Sequence, residues 1–435
     1  MKPCRIHTLI LSSAILLTTG FSCGKPEQKQ QINPQDLLEE HRFDMTLRES
    51  RQVTDGVLYE RMTLDRFGGD IHVLTLDMTK GVLLDACWAD GLCPNPATNG
   101  TNNGKQLRET LSETLRRRLG EKVVGGINGD YYHTKGGITL SPHVENGEPV
   151  FFGNPYELVR EPAFKYGFTQ FSDGSISFGP RSVRSSVVWK DISIPVRSVN
   201  DTILALSPNA VQASKAYQDA NVYTARMVEK PFPAVRNKIG TRALFLVAKA
   251  SVPLSVNTGP IPSTVTAVLD GRSGNLTSAP FVTGKDEWVL QLTGESAAAL
   301  SGARPGDRLD ISFELSIDGS VKPVRTHIGG KYLILANGQK GEGYDDPRSA
   351  TRASLIGATQ DGKTVRLIAS AASLTFPDNY ELARKLGLYN ALRLDGGGST
   401  EMCLVNNGNV EILCPSSDSN GKERSNMNYI HVRTK

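Results

Sequence analysis

Two short stretches of this 435-residue chain carry residue types that could do chemistry. The first runs Leu394-Asp395-Gly396-Gly397-Gly398-Ser399-Thr400-Glu401, an apolar strand end followed by an acid, three glycines, two hydroxyls and a second acid. Three consecutive glycines cost backbone entropy and pack nothing. They do let backbone N–H groups converge on an anion. Asp395 is therefore a candidate catalytic carboxylate. Gly396, Gly397, Gly398, Ser399 and Thr400 are candidates for a phosphate seat beside it, and the competing reading is a tight turn between strands. The second stretch is Asn128-Gly129-Asp130-Tyr131-Tyr132-His133. Asp130 or Glu401 would partner Asp395 in acid–base work, and His133 is a further acid/base candidate. Asn128 and Gly129 precede the acid, and by themselves read as a hairpin turn. Arg352 could form a structural bridge to Asp345 or Asp346. Asp130 and Asp395 could also hold Ca²⁺ or Mg²⁺ through oxygen; no cofactor is required by the sequence.

The elements that must position these residues come in two similar units. Residues 105–119 read as a helix, with Leu107, Leu111, Leu115 and Leu119 forming one apolar stripe, Arg116, Arg117 and Arg118 at its C-terminal end, and Gly120 as the stop. The strand 122–127 follows and delivers Asn128. Later, Asp378 caps a helix over 379–386 with Glu381 closing a capping box, Gly387 stops it, and strand 388–394 delivers Asp395. Were the two strands parallel neighbours in one sheet, their ends would form one polar site. Elsewhere the pattern is strand and turn. Residues 70–77 alternate, with His72 expected on an exposed face. Asp361-Gly362 marks a hairpin, and 195–325 has no helical period and forms a β-rich subdomain. The fold expected is α+β, a predominantly β-sheet core with a few packed helices.

The ends and the cysteines bound the rest. Lys2 and Arg5 precede an apolar run from Leu9 to Leu17, too short to span a bilayer, and then Gly20-Phe21-Ser22-Cys23. This resembles a bacterial lipoprotein signal, with an ordinary secretory signal as the alternative. Residues 1–22 would be removed, Cys23 lipidated, 23–34 a flexible tether and 35–435 the folded domain. The protein would sit at the bacterial cell envelope, on the outer membrane, touching membrane through its lipid anchor only. Removing Lys2 and Arg5 takes the formal charge from +4 to +2, which gives no electrostatic case for nucleic acid. Cys87, Cys93, Cys403 and Cys414 are expected to form two disulfides, Cys87–Cys93 and Cys403–Cys414. A turn at Gly408-Asn409 would set Cys403 opposite Cys414.

Three motifs carry a family resemblance. Gly126-Ile127-Asn128-Gly129-Asp130-Tyr131-Tyr132, Arg352-Ala353-Ser354-Leu355-Ile356-Gly357 and Leu394-Asp395-Gly396-Gly397-Gly398-Ser399-Thr400 resemble, in order, signatures of the phosphodiester glycosidases. Tyr131-Tyr132 stands where a Phe pair is common, and one extra residue precedes Gly357. The resemblance implies a glycoside hydrolase acting on a sugar-1-phosphodiester or a related envelope glycan. It also implies that Asn128 and Gly129 hold a sugar hydroxyl or a phosphate oxygen, that Arg352 or Arg348 grips the phosphate in bidentate fashion, and that Asp395 is base or nucleophile, the separation of the two carboxyls setting retention or inversion. The alternative is a non-catalytic glycan-binding envelope lipoprotein.

Overall fold

Side chains alternate between core and solvent in strands with one wet face, as in Arg308–Ile317, where every second residue is buried, while strands such as Tyr166–Phe171 and Leu244–Ala250 are buried on both faces. The structure, a computed structural model, describes residues 44–435 apart from 65–66, 90–108, 134–137, 154–161, 201–219, 228–242, 275–283, 343–349 and 418–422. The stretches 1–22 and 23–34, Cys23, Cys93 and Arg348 lie outside the described residues, as does the side chain of His133. Strands dominate, helices are few, and the fold is the expected β-rich α+β type. Among the described residues no helix is long and apolar enough to cross a membrane.

Two sheets and two helices make a four-layer stack. An eight-stranded sheet contains Thr364–Leu374, Thr351–Ala358 and Asn390–Arg393 side by side. A five-stranded sheet runs Asn409–Cys414, Met402–Asn406, Val123–Asn128, Asn428–Arg433, Leu83–Trp88. One apolar core lies between them, joining Ile356, Leu367, Leu392 and Leu394 of the first to Ile127, Met402, Leu404 and Ile430 of the second. The helix Phe376–Lys385 covers the outer face of the eight-stranded sheet through Phe376, Leu382, Ala383 and Leu386. The helix Leu111–Arg117 covers the outer face of the five-stranded sheet through Leu111 and Leu115. A twelve-stranded sheet forms the rest, and the pairing of Tyr166–Phe171 with Ile176–Trp189 closes its ladder on itself. The segment 195–325 contributes to this third sheet and its separate core.

Both expected helices form, with ends set by capping rather than by the apolar stripe. Thr110 accepts from the Glu113 N–H and Glu113 returns to Thr110, so the described helix begins at Leu111. It ends at Arg117; Gly120 sits in a following 3₁₀ turn, and the left-handed residue is Lys122. In the second helix Thr375, not Asp378, is the cap. Asp378 is its capping-box partner, Glu381 is not, and the helix starts three residues earlier than the apolar pattern suggests. His72 is buried, with Nδ1 2.9 Å from the Tyr59 hydroxyl, not exposed.

The expected disulfides do not form. Cys87, Cys403 and Cys414 are buried thiols. The turn is centred on Asn407-Gly408, both at positive φ (49° and 76°), so Asn406 faces Asn409 and Cys403 faces Ile412. An Asn-Gly pair suits the type I′ geometry that strand twist favours; the turn sits one residue earlier than expected, so the partner of each residue shifts by two, and a bulge beside Met402 pairs Cys414 with Met402. Cys414 then packs in the core between the sheets, while Cys403 faces the Leu111–Arg117 helix.

Candidate active site

The two acid-delivering strands lie in different sheets, contrary to the simple expectation that they are neighbours in one. Their ends nevertheless meet. The Asp395 N–H donates to the Gly129 carbonyl at 3.0 Å, and Asn128 Nδ2 donates to the Asp395 carbonyl at 2.8 Å. Strand alternation aims the chemistry. Leu392 and Leu394 point into the core, so Arg393 and Asp395 take the other side.

Asn128 is a structural hub rather than a substrate grip. It is 1% exposed; its Oδ1 accepts from the Ser354 hydroxyl (2.6 Å) and from the Glu401 N–H (3.1 Å), while its Nδ2 holds Asp395. Gly129 is required by close approach, since a Cβ there would lie 2.0 Å from Asn428 Oδ1. Asn428 clamps Asp130 from both sides, accepting from its N–H (2.6 Å) and donating to its carbonyl (3.2 Å).

Both aspartates are weakened acids. Burial pushes Asp130 up to about 7, against the opposing pull of the Ser141 hydroxyl, Arg181 and the Tyr131 N–H; the nearby Asp395 charge pushes the same way as burial. Burial likewise pushes Asp395 up to about 6, opposed by Ser399, Arg424, the Gly396 N–H and Arg393. Two carboxyls that feel each other and titrate near neutrality are what acid–base catalysis requires. Asp130 is 2% exposed and its Oδ2 has no hydrogen-bond partner among the described residues; Asp395 is partly exposed.

The glycine turn is built around arginines. Gly397 needs its positive φ of 64°. A Cβ on Gly398 would come 2.9 Å from Arg424 Nη1. The Ser399 and Thr400 N–H groups close onto the Gly396 and Gly397 carbonyls, and no described residue accepts from the Gly397 or Gly398 N–H. Arg393 is 5% exposed, donates from Nη2 to Thr351 Oγ1 (2.9 Å) and lies 4.6 Å over the Phe376 ring. Its Nε and Nη1 have no partner among the described residues.

Other expected site residues sit elsewhere. Arg352 is a brace. Its Nη2 donates to the Thr400 carbonyl (3.1 Å), the Pro415 carbonyl (2.6 Å) and Cys414 Sγ (3.0 Å), so it ties the turn to the hairpin and not to a phosphate. The Thr400 side chain is wholly buried, and Ser399 serves Asp395 rather than an outside anion. Glu401 is not with the aspartates. It is wholly buried beside Glu423, Cys403, Ser416 and the Leu111 N–H. His133 adds a backbone pairing to Ile138. Arg393, Arg424, Arg181, Asn428 and Ser354 were not singled out by sequence. Of these only Arg393 left a signal, standing two residues before Asp395 on the same strand face.

Among the described residues no third carboxylate, histidine or cysteine joins Asp130 and Asp395 closely enough to share a metal ion. Among the described residues the one group of three donors close enough to share an ion is Glu401, Cys403 and Glu423. Burial raises the Cys403 thiol well above its usual range, and burial with Glu423 pushes Glu401 up to about 10. In the metal-free protein two of the three donors are thus protonated at neutral pH, and an ion held there would have to displace both protons.

The fold and site define a β-rich chain with a carboxyl pair beside arginines. Residues 263–433 match the family model of the phosphodiester glycosidases, which supports the resemblance for the segment holding Arg352, the Asp395–Thr400 turn, Arg424 and Asn428. No curated protein matches the sequence. Among solved structures, a protein from Synechocystis superposes with a TM-score of 0.59 at 14% identity over 90% of this chain and 64% of that one. This chain therefore spans under two thirds of that protein. An exported protein from Burkholderia pseudomallei gives 0.53 at 18% identity, over 86% and 74%. At such identities the likeness is one of fold. The catalytic domain of zebrafish N-acetylglucosamine-1-phosphodiester alpha-N-acetylglucosaminidase, auto-inhibited by its pro-peptide, gives 0.36 at 11% identity over 91% and 83%.

Proposed function

We propose that this chain hydrolyses a glycosyl phosphodiester, cleaving the bond between the sugar's anomeric carbon and the phosphate oxygen. The observation that carries the reading is the meeting of Asp130 and Asp395 at the ends of strands from two sheets, with Arg393 and Arg424 beside Asp395. Asp395, the stronger acid of the two, is the carboxylate that takes a proton from the attacking water. Asp130, the weaker acid, holds the proton that passes to the departing phosphate oxygen. The oxygen of water joins the anomeric carbon, the carbon–oxygen bond to phosphate breaks, and the products are a free sugar and a phosphate monoester. The phosphate's charge is met by the guanidinium charges of Arg393 and Arg424 and by the Gly397 and Gly398 N–H groups. The signal-like residues before Cys23 support an envelope-anchored location.

The test is sugar release from an N-acetylglucosamine-1-phosphoryl ester by wild type and by Asp395→Asn. Release by wild type that drops at least about 10²-fold in a folded variant is expected. Release that survives the substitution removes Asp395 from the reaction. Binding without release in either protein favours the glycan-binding alternative.

A further inference from the structure

Glu401 and Glu423 take no part in the chemistry above, yet each is joined in sequence to something that does. Glu401 directly follows the Asp395–Thr400 turn, and Glu423 directly precedes Arg424. A carboxyl oxygen of each, together with Cys403 Sγ, lies within 4.8 Å of the others. Glu401 is wholly buried, and neither of its oxygens has a donor at hydrogen-bond geometry among the described residues. Glu423 is half-buried and well supplied: it accepts from the Ser112 N–H (3.1 Å) and the Ser112 hydroxyl (2.9 Å), in the first turn of Leu111–Arg117. Negative charge is welcome at that helix end.

The groups facing the pair come from every element around it. Cys403 lies on Met402–Asn406, Cys414 on the adjoining strand, Tyr429 on Asn428–Arg433, and Arg116 on the helix. Arg116 is the one cation among these, and it donates to Ser112 Oγ at 3.1 Å. Two carboxylates this close and this dry do not both ionise. The helix N–H holds Glu423 as the anion, so Glu401 is the partner that stays neutral.

We propose that Glu401 and Glu423 share one proton, Glu401 donating its O–H to the Glu423 carboxylate, and that this latch is what positions Arg424 against Asp395. Both are positioning residues. The proposal rests on the reading of Asp395 and Arg424 given above. The direction of each group's acidity agrees: Glu401 is raised, Glu423 lowered. When Glu401 ionises, like charges repel and the segment carrying Arg424 is released from the Asp395 turn.

The experiment compares thermal unfolding from pH 6 to 10 for wild type, Glu401→Gln and Glu423→Gln. It also measures bound metal in each purified protein and affinity for inorganic phosphate as the probe of the arginine site. A group raised from 4.5 to about 10 lowers stability progressively as pH rises through that window. Glutamine keeps an N–H donor for Glu423 and does not titrate. Glu401→Gln is therefore expected to melt at or above wild type, to lose part of the alkaline fall, and to bind phosphate within about twofold of wild type. Glu423→Gln, which removes the charged acceptor, is expected to melt lower and to bind phosphate several-fold more weakly. A Glu401→Gln protein that melts several degrees below wild type with its alkaline fall intact overturns the latch. So does a stoichiometric divalent ion present in wild type and lost in Glu401→Gln. Sugar release is not needed for any of these readouts. If wild type binds no phosphate, the site reading falls and the thermal comparison alone decides the latch.

Discussion

At the scale of single residues, Asp130 and Asp395 are held where water cannot stabilise their charge, and that is what tunes them. Hydrolysis needs Asp395 ionised and Asp130 protonated. Activity is expected to rise with pH through about 6 and to fall through about 7, giving a narrow bell whose two limbs belong to the coupled pair. The pH profile of kcat/KM between 4.5 and 9 checks this; a flat profile from 5 to 9 contradicts it. The same burial has a stability cost. A carboxyl whose folded pKa is raised contributes stability below its unfolded pKa, and that contribution is lost as pH rises through the folded value. Asp130→Asn should therefore be inactive yet more stable than wild type at pH 8, by on the order of a few kcal/mol at most. Chemical denaturation at pH 8 reads this directly, and a destabilised variant would contradict it.

At the scale of elements, the eight-stranded sheet lends two arginines to opposite tasks. Arg352, near the start of Thr351–Ala358, spends its guanidinium on two carbonyls and a thiol and so fastens the Asp395 turn to the following hairpin. Arg393, on the neighbouring strand, places its charge beside Asp395 and favours the ionised carboxylate. Arg352→Ala should lower stability by about 1–2 kcal/mol, since charge-assisted hydrogen bonds to the part-buried Thr400 carbonyl and the exposed Pro415 carbonyl are lost. Arg424 is partly exposed and holds no strand in register. Arg424→Ala should leave the melting temperature within a few degrees and raise KM for a phosphodiester by about 10-fold or more. Denaturation and steady-state kinetics on the two variants separate a brace from a ligand. An Arg352→Ala protein with normal stability and a raised KM would reverse the assignment.

At the scale of the whole molecule, four histidines are sealed in the folded chain. Burial is the largest cause in each: it lowers His72 and His143 to about 4, His431 to about 3, and His327 well below its usual value. Each unfolded histidine titrates near 6.5, so their contribution to stability is complete above that pH and is lost as pH falls towards 4. Asp130, Asp395 and Glu401 work the other way over the same range, because they take up protons more readily when folded. The expected balance is a gentle loss of stability from pH 6.5 to 4. The loss should become steeper in the double variant Asp130→Asn, Asp395→Asn, which removes two of the opposing groups. Equilibrium denaturation across that range tests the sign; equal slopes in the two proteins would refute the account.

How far the sequence reached depended on whether the determining interaction was local. Strand alternation, the apolar faces of the two helices, the Asp361-Gly362 hairpin and the delivery of Asp130 and Asp395 to strand ends were all legible, because each depends on neighbours along the chain. Even local reading slipped by small steps where two residues competed for one role: Thr375 against Asp378 as cap, Asn407-Gly408 against Gly408-Asn409 as turn. The second slip decided the fate of a proposed disulfide: it moved the partner of Cys403 two residues along the strand, to Ile412, and a bulge beside Met402 turns Cys414 into the core between the sheets. What only the tertiary structure decided was which groups meet. Asn128 reaches Asp395 across 267 residues and Asn428 clamps Asp130 across 298. Arg424 comes to Gly398 from a segment with no motif of its own, and Glu401 faces a helix rather than the acids its sequence position suggested. Such partnerships arise from how two sheets stack, and stacking is set by the apolar core between them, which constrains strand faces but names no polar partner.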